Sequence, residues 1–369
     1  MNGGVRVLII VSFANLAGAQ IAALRLARGL RDRGHDPKVL FLYEQGVIKS
    51  PDHPYEVVLP TARPGAGGYM RISIELARIL RRDKPDLVLT FLPLANTLGQ
   101  AAALLAGVRR RVVSHRMPVN TAAPVLRGLD TLWAWLGFYT GVVTVSESVR
   151  TTCSHYPAWL LKRTVVVHNG LRAWTPSHLD RTEARRRFAI PDDKYVLVAV
   201  GRLAQQKNYP FMLRVVQRLD NVLLVVAGDG VLRREIEAEI ATLGIGDKVK
   251  LLGSVARADV PDLLAAADVF VQTSTYEGQS NAILEALQNR TPIVAHDIPE
   301  QRETIAEPDG CAAGALVPLE DLDGWVAAIE KLRHDTGLVE TAREIAVRRA
   351  QLFTYETMIA GFERALIGK

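Results

Sequence analysis

The sequence predicts an α/β protein built from two doubly wound domains, each with a parallel sheet between layers of helices. The first reason is length, because 369 residues exceed the size of one ordinary hydrophobic core. The second is alternation, because short apolar runs rich in β-branched residues follow stretches with helical periodicity along the whole chain. The third is one interruption at 172–194, which holds two prolines and many charges and which predicts a linker between two similar halves.

The first half contains seven candidate strands, each a short apolar run. They lie at 5–11, 37–43, 55–60, 86–92, 110–116, 141–146 and 163–170. Residues 19–34 predict a helix, because Ile21, Leu24 and Leu30 recur near the helical period. We therefore assign residues 1–178 to an N-terminal Rossmann-like domain.

The second half repeats the pattern with six candidate strands and a long helical end. The strands lie at 195–203, 222–230, 249–255, 269–274, 291–297 and 314–321, and a helical segment runs from about 338 to 368. We assign 179–350 to a C-terminal Rossmann-like domain and 351–369 to a helix that returns toward the first domain. Because ligands bind at the carboxyl ends of parallel strands, two such domains imply a central cleft.

Two apolar stretches imitate membrane or targeting signals. The first 20 residues resemble a signal peptide, but their apolar core, 7–11, is short and a helical pattern continues after it. Residues 87–108 carry no charge, yet Pro93, Asn96 and Gly99 interrupt them, which favours a strand, a loop and a buried helix. We predict no membrane span and no leader.

The charge is divided unequally between the halves. Residues 1–178 carry 22 Lys and Arg against 10 Asp and Glu, which gives +12, whereas residues 179–369 carry 23 against 29, which gives −6. A basic half suits an anionic partner such as a phosphate or an acidic lipid headgroup, although a solvated surface with a chance imbalance is the alternative. No nucleic-acid motif accompanies the charge.

Cysteine usage excludes a disulfide framework and a zinc site. The two cysteines, Cys153 and Cys311, lie far apart and show no metal-ligand spacing. This count suits a reducing compartment, and we predict a cytoplasmic protein, peripheral on the inner face of the cell membrane if its acceptor is lipid-linked.

The loop 200–210, "VGRLAQQKNYP", carries two cations at the predicted end of a strand. Arg202 and Lys207 lie five residues apart, a pair that suits a diphosphate better than a single carboxylate. A pair of ordinary surface cations is the alternative. The turn 227–230, "AGDG", is better explained as a structural turn than as a ligand contact.

The segment "TYEGQSNAILEAL", 275–287, places Glu277 and Glu285 eight positions apart. Small polar residues between them predict a loop at Glu277 and a helix that begins at Ser280 or Asn281. Free N–H groups of Ser280, Asn281 and Ala282 would bind a phosphate. Glu285 would accept hydrogen bonds from a ribose, and Glu277 would face a sugar. These three parts make up a nucleotide sugar.

Taken in order, these motifs resemble the family 4 retaining glycosyltransferases of the GT-B fold, two Rossmann-like domains that face a central cleft. The resemblance covers nearly the whole second half, through "GRLAQQKN", "GDG", "LLGSV", "AADVFVQTSTYEG", "TPIVAHD" and "ALVPLED". It implies that the diphosphate and ribose contact Gly201, Arg202, Lys207 and Glu285. It also implies that the donor sugar contacts Glu277, Gly278 and Gln279, and that Gly253, Ser254 and Val255 pass by the base.

The first half resembles the family more loosely. Ala17 and Gly18 occupy the place of a glycine-rich loop that approaches the donor phosphate and the acceptor. His115, at the end of a strand, matches a histidine that relatives often have near the donor sugar. Asn96, His115 and Arg116 are the acceptor-side candidates. A satisfied structural histidine is the alternative for His115.

The resemblance implies a retaining transfer in which the leaving diphosphate helps to deprotonate the acceptor hydroxyl. The candidate catalytic residues are His115, Arg202, Lys207 and Glu277. An ion would be redundant beside two cations and a helix dipole, so we expect no metal requirement and no cofactor besides the nucleotide sugar, with a UDP-sugar as the first expectation.

The expected acceptor is a glycan or a polyprenyl-linked saccharide in the assembly of cell-surface polysaccharide or glycoconjugate. A soluble small-molecule or natural-product acceptor is the alternative. A non-catalytic nucleotide-sugar-binding protein and a GT-B phosphorylase or epimerase are the other classes. The aromatic segment 132–139 is interpreted as a core helix, with an interfacial apolar contact as the alternative.

Overall fold

The computed structural model describes residues 4–15, 18–46, 53–62, 64–172, 177 and 179–368. These residues divide into two compact units. One unit comprises the chain up to Gly170 together with the residues from Glu356 onward, and the other runs from Leu171 to Tyr355. The predicted domain limits at 178 and 350 therefore differ by several residues from the limits of these units.

The first unit contains a seven-stranded parallel sheet in the order β3-β2-β1-β4-β5-β6-β7. Its strands are β1 (Arg6–Ala14), β2 (Asp36–Glu44), β3 (Glu56–Leu59), β4 (Leu87–Phe91), β5 (Arg110–His115), β6 (Gly141–Thr144) and β7 (Thr164–Val166). Its helices before residue 170 are α1 (Gly18–Asp32), α2 (Ala66–Asp83), α3 (Pro93–Leu105), α4 (Pro124–Trp135), α5 (Glu147–Thr151) and α6 (Ala158–Leu161). The uncharged stretch 87–108 forms β4 and α3, as predicted.

The second unit contains a six-stranded parallel sheet in the order β10-β9-β8-β11-β12-β13. Its strands are β8 (Tyr195–Val200), β9 (Val222–Ala227), β10 (Val249–Gly253), β11 (Val269–Gln272), β12 (Ile293–His296) and β13 (Gly314–Val317). Its helices are α7 (Arg181–Arg187), α8 (Tyr209–Gln217), α9 (Arg233–Leu243), α10 (Val260–Ala265), α11 (Asn281–Gln288), α12 (Pro299–Ile305), α13 (Leu322–His334) and α14 (Thr336–Leu352). Every predicted strand of both halves overlaps an observed one.

Each sheet reverses its strand order once, between β1 and β4 in the first unit and between β8 and β11 in the second. At this reversal, the loops that follow the two neighbouring strands turn to opposite sides of the sheet, and a gap lies between them. In open α/β sheets, ligands bind outside the carboxyl ends of the strands at this point. The fold therefore directs attention to the loops after β1, β4 and β5, and to those after β8 and β11.

The prediction that 172–194 is a linker is wrong for its central part. Residues 181–187 form α7, whose first turn is closed by a capping box between Asp180 and Glu183. Arg185 is buried, and its Nη2 donates to Asp268 Oδ2 at 2.8 Å. The charge that suggested a linker thus serves to cap α7 and to attach it to the second unit.

The C-terminal helical segment consists of two helices rather than one. α14 ends at Leu352 and α15 (Tyr355–Ile367) follows, and α15 packs within the first unit from Glu356 onward. Glu363 accepts from Arg33 Nη1 at 2.6 Å and lies 3.1 Å from His35 Nε2, while Phe362 stacks on Phe91 with ring centroids 6.3 Å apart. Within the described ranges, no helix has the length and apolarity needed to cross a bilayer.

Candidate functional site

The loop after β8 carries the two cations that the sequence singled out. Arg202 is exposed and has no hydrogen-bond or ion-pair partner among the residues that the structure describes. Lys207 ends a short 3₁₀ turn, Gln205–Lys207, and its side chain is 16% exposed. A Cβ on Gly201 would lie 3.0 Å from Lys207 Cε, so the glycine allows Lys207 to fold back over the backbone. Both cations therefore lie on one loop at the carboxyl end of the sheet.

The segment after β11 has the local structure that the sequence predicted. Ser280 is the N-cap of α11, with its Oγ accepting from Ile283 N at 3.4 Å and donating to Gln272 Oε1 at 2.8 Å. Glu277 lies on the loop before the helix, and Glu285 lies just over one turn inside it. Both glutamates are buried, each only 7% exposed. Two buried carboxylates thus flank the N-terminus of one helix.

Lys207 and Glu277 form an ion pair between the loops after β8 and β11. Lys207 Nζ lies 2.7 Å from Glu277 Oε1, and Gln272 Nε2 approaches the same oxygen at 3.5 Å. Burial and the Glu277 charge raise the pKa of the neighbouring Tyr209, whose hydroxyl donates to Gly201 O at 3.1 Å. A charged pair in so enclosed a position is costly unless each partner is satisfied. The reversal between β8 and β11 therefore holds a cation and a carboxylate in contact.

Glu285 is paired with a residue that the sequence reasoning did not identify. Arg257 Nη2 lies 3.3 Å from Glu285 Oε1, and the Arg257 side chain is 40% exposed. Arg257 follows closely after Gly253, Ser254 and Val255, the segment expected beside the base. Arg257 was missed because its position outside the "GSV" motif carries no signal of its own. Gln272 was missed because it reads as the last residue of a strand.

Three glycines allow the loops after β8, β9 and β10 to approach one another. A Cβ on Gly228 would lie 1.9 Å from Gly201 O, and Gly228 N donates to Gly253 O at 2.8 Å. Gly253 itself has φ of 71°, a left-handed conformation that favours glycine. The "AGDG" turn thus has a structural role, as its interpretation from the sequence proposed.

The first-unit candidates also lie at strand ends. Gly18 is the exposed first residue of α1, so it starts a helix rather than extending a loop, and its predicted partner Ala17 lies outside the described residues. Asn96 follows β4 and is 1% exposed, with Oδ1 accepting from Thr90 Oγ1 at 2.8 Å. Its Nδ2 has no partner in the described part of the chain. His115 ends β5 and is also buried.

His115 is connected to a buried carboxylate that the sequence did not reveal. His115 Nε2 lies 2.9 Å from the hydroxyl of Tyr156, and this hydroxyl makes a short hydrogen bond to Asp130 Oδ2. Tyr139 donates to the other carboxylate oxygen of Asp130 at 2.9 Å. Burial lowers the pKa of His115 and so favours the neutral imidazole, although the charge of Asp130 acts in the opposite direction.

Arg116, the residue after His115, is a buried cation that lies near two aromatic rings. It donates a short hydrogen bond from Nη2 to Asn169, and its guanidinium carbon lies 5.7 Å and 6.0 Å from the ring centroids of Phe91 and Phe362. Its Nη1 has no partner among the described residues. Burial lowers the pKa of Arg116 to about 9. The side chain thus retains one unused donor near the carboxyl end of β5.

The aromatic segment 132–139 is not the wholly buried helix that was expected. Only part of it is enclosed, because Ala134 and Tyr139 are buried while Leu132, Trp135 and Leu136 are 46%, 61% and 61% exposed. The run is apolar on every side, so the pattern alone does not show which face packs against the sheet. Together with Val125, 74% exposed, these three residues form what we call the α4 apolar surface.

Other features of the described residues lie away from these strand ends. A cavity lined by Arg6, Lys38 and Asp83, among others, opens at the opposite edge of the first sheet. Cys153 and Cys311 are both free thiols, and no group of three or more His, Cys, Asp or Glu side chains in the described ranges could hold a metal ion.

Comparison with known proteins gives two family matches, one after the other. The model described as "Glycosyltransferase Family 4" matches residues 16–173, and that described as "Glycosyl transferases group 1" matches residues 180–349. Alpha-D-kanosaminyltransferase of Streptomyces kanamyceticus is 31% identical over 45% of this chain and 43% of its own length. The match spans about half the length of several curated relatives.

A longer alignment and a solved structure agree with these matches. The Escherichia coli UDP-Gal:alpha-D-GlcNAc-diphosphoundecaprenol alpha-1,3-galactosyltransferase is 26% identical over 72% of this chain and 71% of its own. The Anabaena protein Alr3699/HepE, solved in complex with UDP and glucose, has a TM-score of 0.84 at 22% identity and covers 98% of this chain and 99% of its own. The fold class is therefore GT-B, with a Glycosyltransferase Family 4 domain in the first half of the chain and a Glycosyl transferases group 1 domain in the second half.

Proposed function

We propose that this protein is a retaining glycosyltransferase that moves a sugar from a nucleoside diphosphate sugar to a hydroxyl of a glycan or polyprenyl-linked saccharide. The observation that carries the proposal is the contact between Lys207 and Glu277 beside the start of α11, at the strand-order reversal of the second unit. One loop supplies cations, one helix supplies free N–H groups, and two buried carboxylates lie on either side. Family membership and the relatives' names support the same activity.

The second unit, with residues 179–350 as its core, is the proposed donor-binding domain. Arg202 and Lys207 hold the diphosphate together with the N-terminus of α11, which carries partial positive charge. Glu285 accepts from the ribose hydroxyls, with Arg257 orienting its carboxylate. Glu277, with the backbone of Gly278 and Gln279, faces the sugar. UDP is the proposed nucleotide because HepE, of the same fold, was solved with UDP.

The proposed reaction needs no enzymic nucleophile. The acceptor oxygen bonds to the anomeric carbon on the face from which the diphosphate departs. The bond from that carbon to the diphosphate oxygen breaks, and the acceptor proton passes to the departing phosphate oxygen. Arg202, Lys207 and α11 stabilise the negative charge that develops there, the role that a divalent cation plays in other sites. We therefore propose that no metal is required.

The first unit is the proposed acceptor-side domain, and Gly18, Asn96, His115 and Arg116 are its candidate ligands. His115 and Arg116 lie at the carboxyl end of β5, and Gly18 and Asn96 lie in the first turns of α1 and α3, the helices that follow β1 and β4. Arg116 retains an unused donor, and Asn96 retains an unpartnered amide nitrogen among the described residues. These donors suit phosphate or hydroxyl oxygens of an acceptor.

The experiment that tests the function is a panel of nucleotide sugars assayed with a lipid-linked and a soluble acceptor, with and without a chelator. We expect nucleotide release that depends on one acceptor, survives chelation, and gives a product with the donor's anomeric configuration by NMR. The matched control is Glu277→Gln, which should bind nucleotide without turnover. Saturable binding with no turnover for any acceptor would instead indicate a non-catalytic binding protein, and turnover with soluble acceptors alone would indicate a small-molecule acceptor.

A lipid-linked acceptor would place the protein at an anionic membrane surface, and the α4 apolar surface is the proposed contact. Val125, Leu132 and Leu136 recur at intervals of seven and four, so they share one helix face. A basic residue lies at the end of this helix, because Arg111 donates to the carbonyl of Gly137, just after α4. Positive charge beside an apolar stripe is complementary to an acidic lipid surface.

The test of membrane contact is vesicle co-sedimentation across a salt series. Each well-placed cation contributes about 1 kcal/mol at low salt, so binding should favour anionic over neutral vesicles and weaken as salt rises. Trp135→Ser with Leu136→Ser should reduce binding. Val231→Ser in the second unit, where Val231 is 89% exposed, is the control for loss of exposed apolar area. Equal failure on both vesicle types at low salt contradicts the proposal.

A further inference from the structure

The proton positions around His115 follow from the hydrogen bonds of Asp130. The Asp130 carboxylate is 3% exposed and can only accept. It accepts from the hydroxyls of Tyr139 and Tyr156, one on each oxygen. Each tyrosine has a single hydroxyl proton, and both protons are committed to Asp130. The oxygen of Tyr156 is then available only as an acceptor toward His115.

The imidazole of His115 is therefore constrained at one nitrogen. Nε2 lies 2.9 Å from the Tyr156 oxygen, and a hydrogen bond at that distance needs the proton on Nε2. Among the described residues, the side chain of His115 makes its hydrogen bond at Nε2 and none at Nδ1. A neutral imidazole with its proton on Nε2 carries a lone pair on Nδ1.

We propose that Asp130, acting through Tyr156, is a positioning residue that fixes His115 as the Nε2–H tautomer and presents Nδ1 as a hydrogen-bond acceptor for a substrate hydroxyl. The substrate-facing half of this inference rests on the proposed function, whereas the tautomer itself does not. The logic matches that of a buried carboxylate which holds a catalytic histidine in one tautomer. A hydroxyl-bearing sugar is the class of ligand that such an acceptor recognises.

The groups around the network are consistent with fixed protons. Burial and the Asp130 charge raise the pKa values of Tyr139 and Tyr156 well above the usual value, so both hydroxyls keep their protons. Burial raises the pKa of Cys153 to about 12, so this neighbour stays a neutral thiol. His155, whose ring centroid lies 4.7 Å from that of Tyr156, is exposed and lies outside the chain of hydrogen bonds.

The test is the ¹⁵N spectrum of the full-length protein with labelled histidine, in which the two tautomers give distinct nitrogen shifts. His115→Gln identifies the His115 signal among the eight histidines. We expect Nε2–H in the wild type. Asp130→Leu frees the Tyr156 proton to face Nε2, so it should convert His115 to Nδ1–H. Tyr139→Phe removes a hydroxyl of equal size but leaves the path from Asp130 to His115, so it should keep Nε2–H.

Turnover separates the two halves of the inference. Asp130→Leu should lower kcat about tenfold or more, from one lost substrate hydrogen bond at Nδ1, while the Kd for UDP stays within a factor of two. A wild-type Nδ1–H signal, or Nε2–H retained in Asp130→Leu, overturns the tautomer assignment whatever the activity. A converted tautomer with unchanged kcat overturns the substrate-facing role alone. If the protein proves to be a binding module without turnover, the spectrum still decides the tautomer.

Discussion

The ion pair between Lys207 and Glu277 leads to a prediction in which two substitutions change nucleotide affinity in different directions. Lys207 Nζ is 2.7 Å from Glu277 Oε1, so a diphosphate must compete with a carboxylate for this cation. A charge-assisted hydrogen bond is worth about 1.5–3 kcal/mol, and the competition places the net loss in Lys207→Ala near the lower end. We expect UDP to bind Lys207→Ala about tenfold more weakly. Glu277→Gln removes the competitor, so UDP affinity should hold or rise.

Stability should respond to both substitutions in the same direction. The pair is more enclosed than a surface salt bridge but not fully buried, because the side chains of Lys207 and Glu277 are 16% and 9% exposed. A surface ion pair contributes up to about 1 kcal/mol to the free energy of unfolding, and breaking a buried pair costs about 3–5 kcal/mol. For this intermediate case we expect Lys207→Ala to lower the free energy of unfolding by about 2–3 kcal/mol. Glu277→Gln should lose less, because the amide keeps a polar partner for Lys207.

The measurement is calorimetric titration with UDP and with uridine, beside urea unfolding, for each variant and for the double variant. Lys38→Ala is the matched control, because Lys38 is also a part-buried paired lysine, 2.9 Å from Asp83, but lies in the first unit. It should lose stability without losing UDP affinity. The reasoning is refuted if Glu277→Gln lowers the affinity for UDP as much as Lys207→Ala does. It is also refuted if Lys207→Ala lowers the affinities for uridine and for UDP equally.

Three further predictions follow from the same structure. Glu285→Gln should reduce affinity for UDP more than for its 2′,3′-dideoxy analogue, and equal losses in a binding titration would contradict a ribose contact. Gly228→Ala should cost at least about 1–3 kcal/mol, because its Cβ would meet Gly201 O at 1.9 Å, whereas Gly246→Ala, with no atom within 4 Å of its Cβ, should be neutral or slightly stabilising in the same urea unfolding assay. The hydrogen bonds from His35 and then Arg33 lower the pKa of Glu363, so its stabilisation is present above the unfolded pKa near 4.5 and is lost as pH falls through the lower folded value. Glu363→Gln should therefore lower Tm at pH 7, and this loss of Tm should shrink as the pH falls below 4.5.

The strands could be predicted because parallel strands buried on both faces are continuous apolar runs. The start of α11 could be predicted as well, because Ser280 and Asn281 are residues that cap helices. Local chemistry determined both features. The structure of 181–187 was missed for a related reason, since a charged stretch looks like a linker until its capping box and the buried Arg185 are seen.

Contacts between distant residues could not be predicted. Lys207 and Glu277 are 70 positions apart, and only the adjacency of β8 and β11 brings their loops together. Tyr156 is 41 positions from His115, and Asp130 reads as a polar residue in an amphipathic helix. Exposure of Trp135 and Leu136 was missed because an apolar run does not show which of its faces packs. Sequence reasoning therefore located the candidate ligand-binding loops at the strand ends but not the partners that orient their side chains.

Both sheets are parallel and reverse their strand order once, but the charged residues at their carboxyl ends differ. At the β8 and β11 ends, Lys207 is paired with Glu277, and the exposed Arg202 remains available, which suits an anionic ligand that competes with Glu277 for Lys207. At the β5 end, burial and Tyr156 favour a neutral His115, and the nearby Arg116 guanidinium is buried against aromatic rings. A neutral acceptor nitrogen beside one enclosed cation suits hydroxyls more than a second diphosphate. The different chemistry of the two strand ends therefore supports a division of labour, with the nucleotide on the second unit and hydroxyl recognition at His115 on the first.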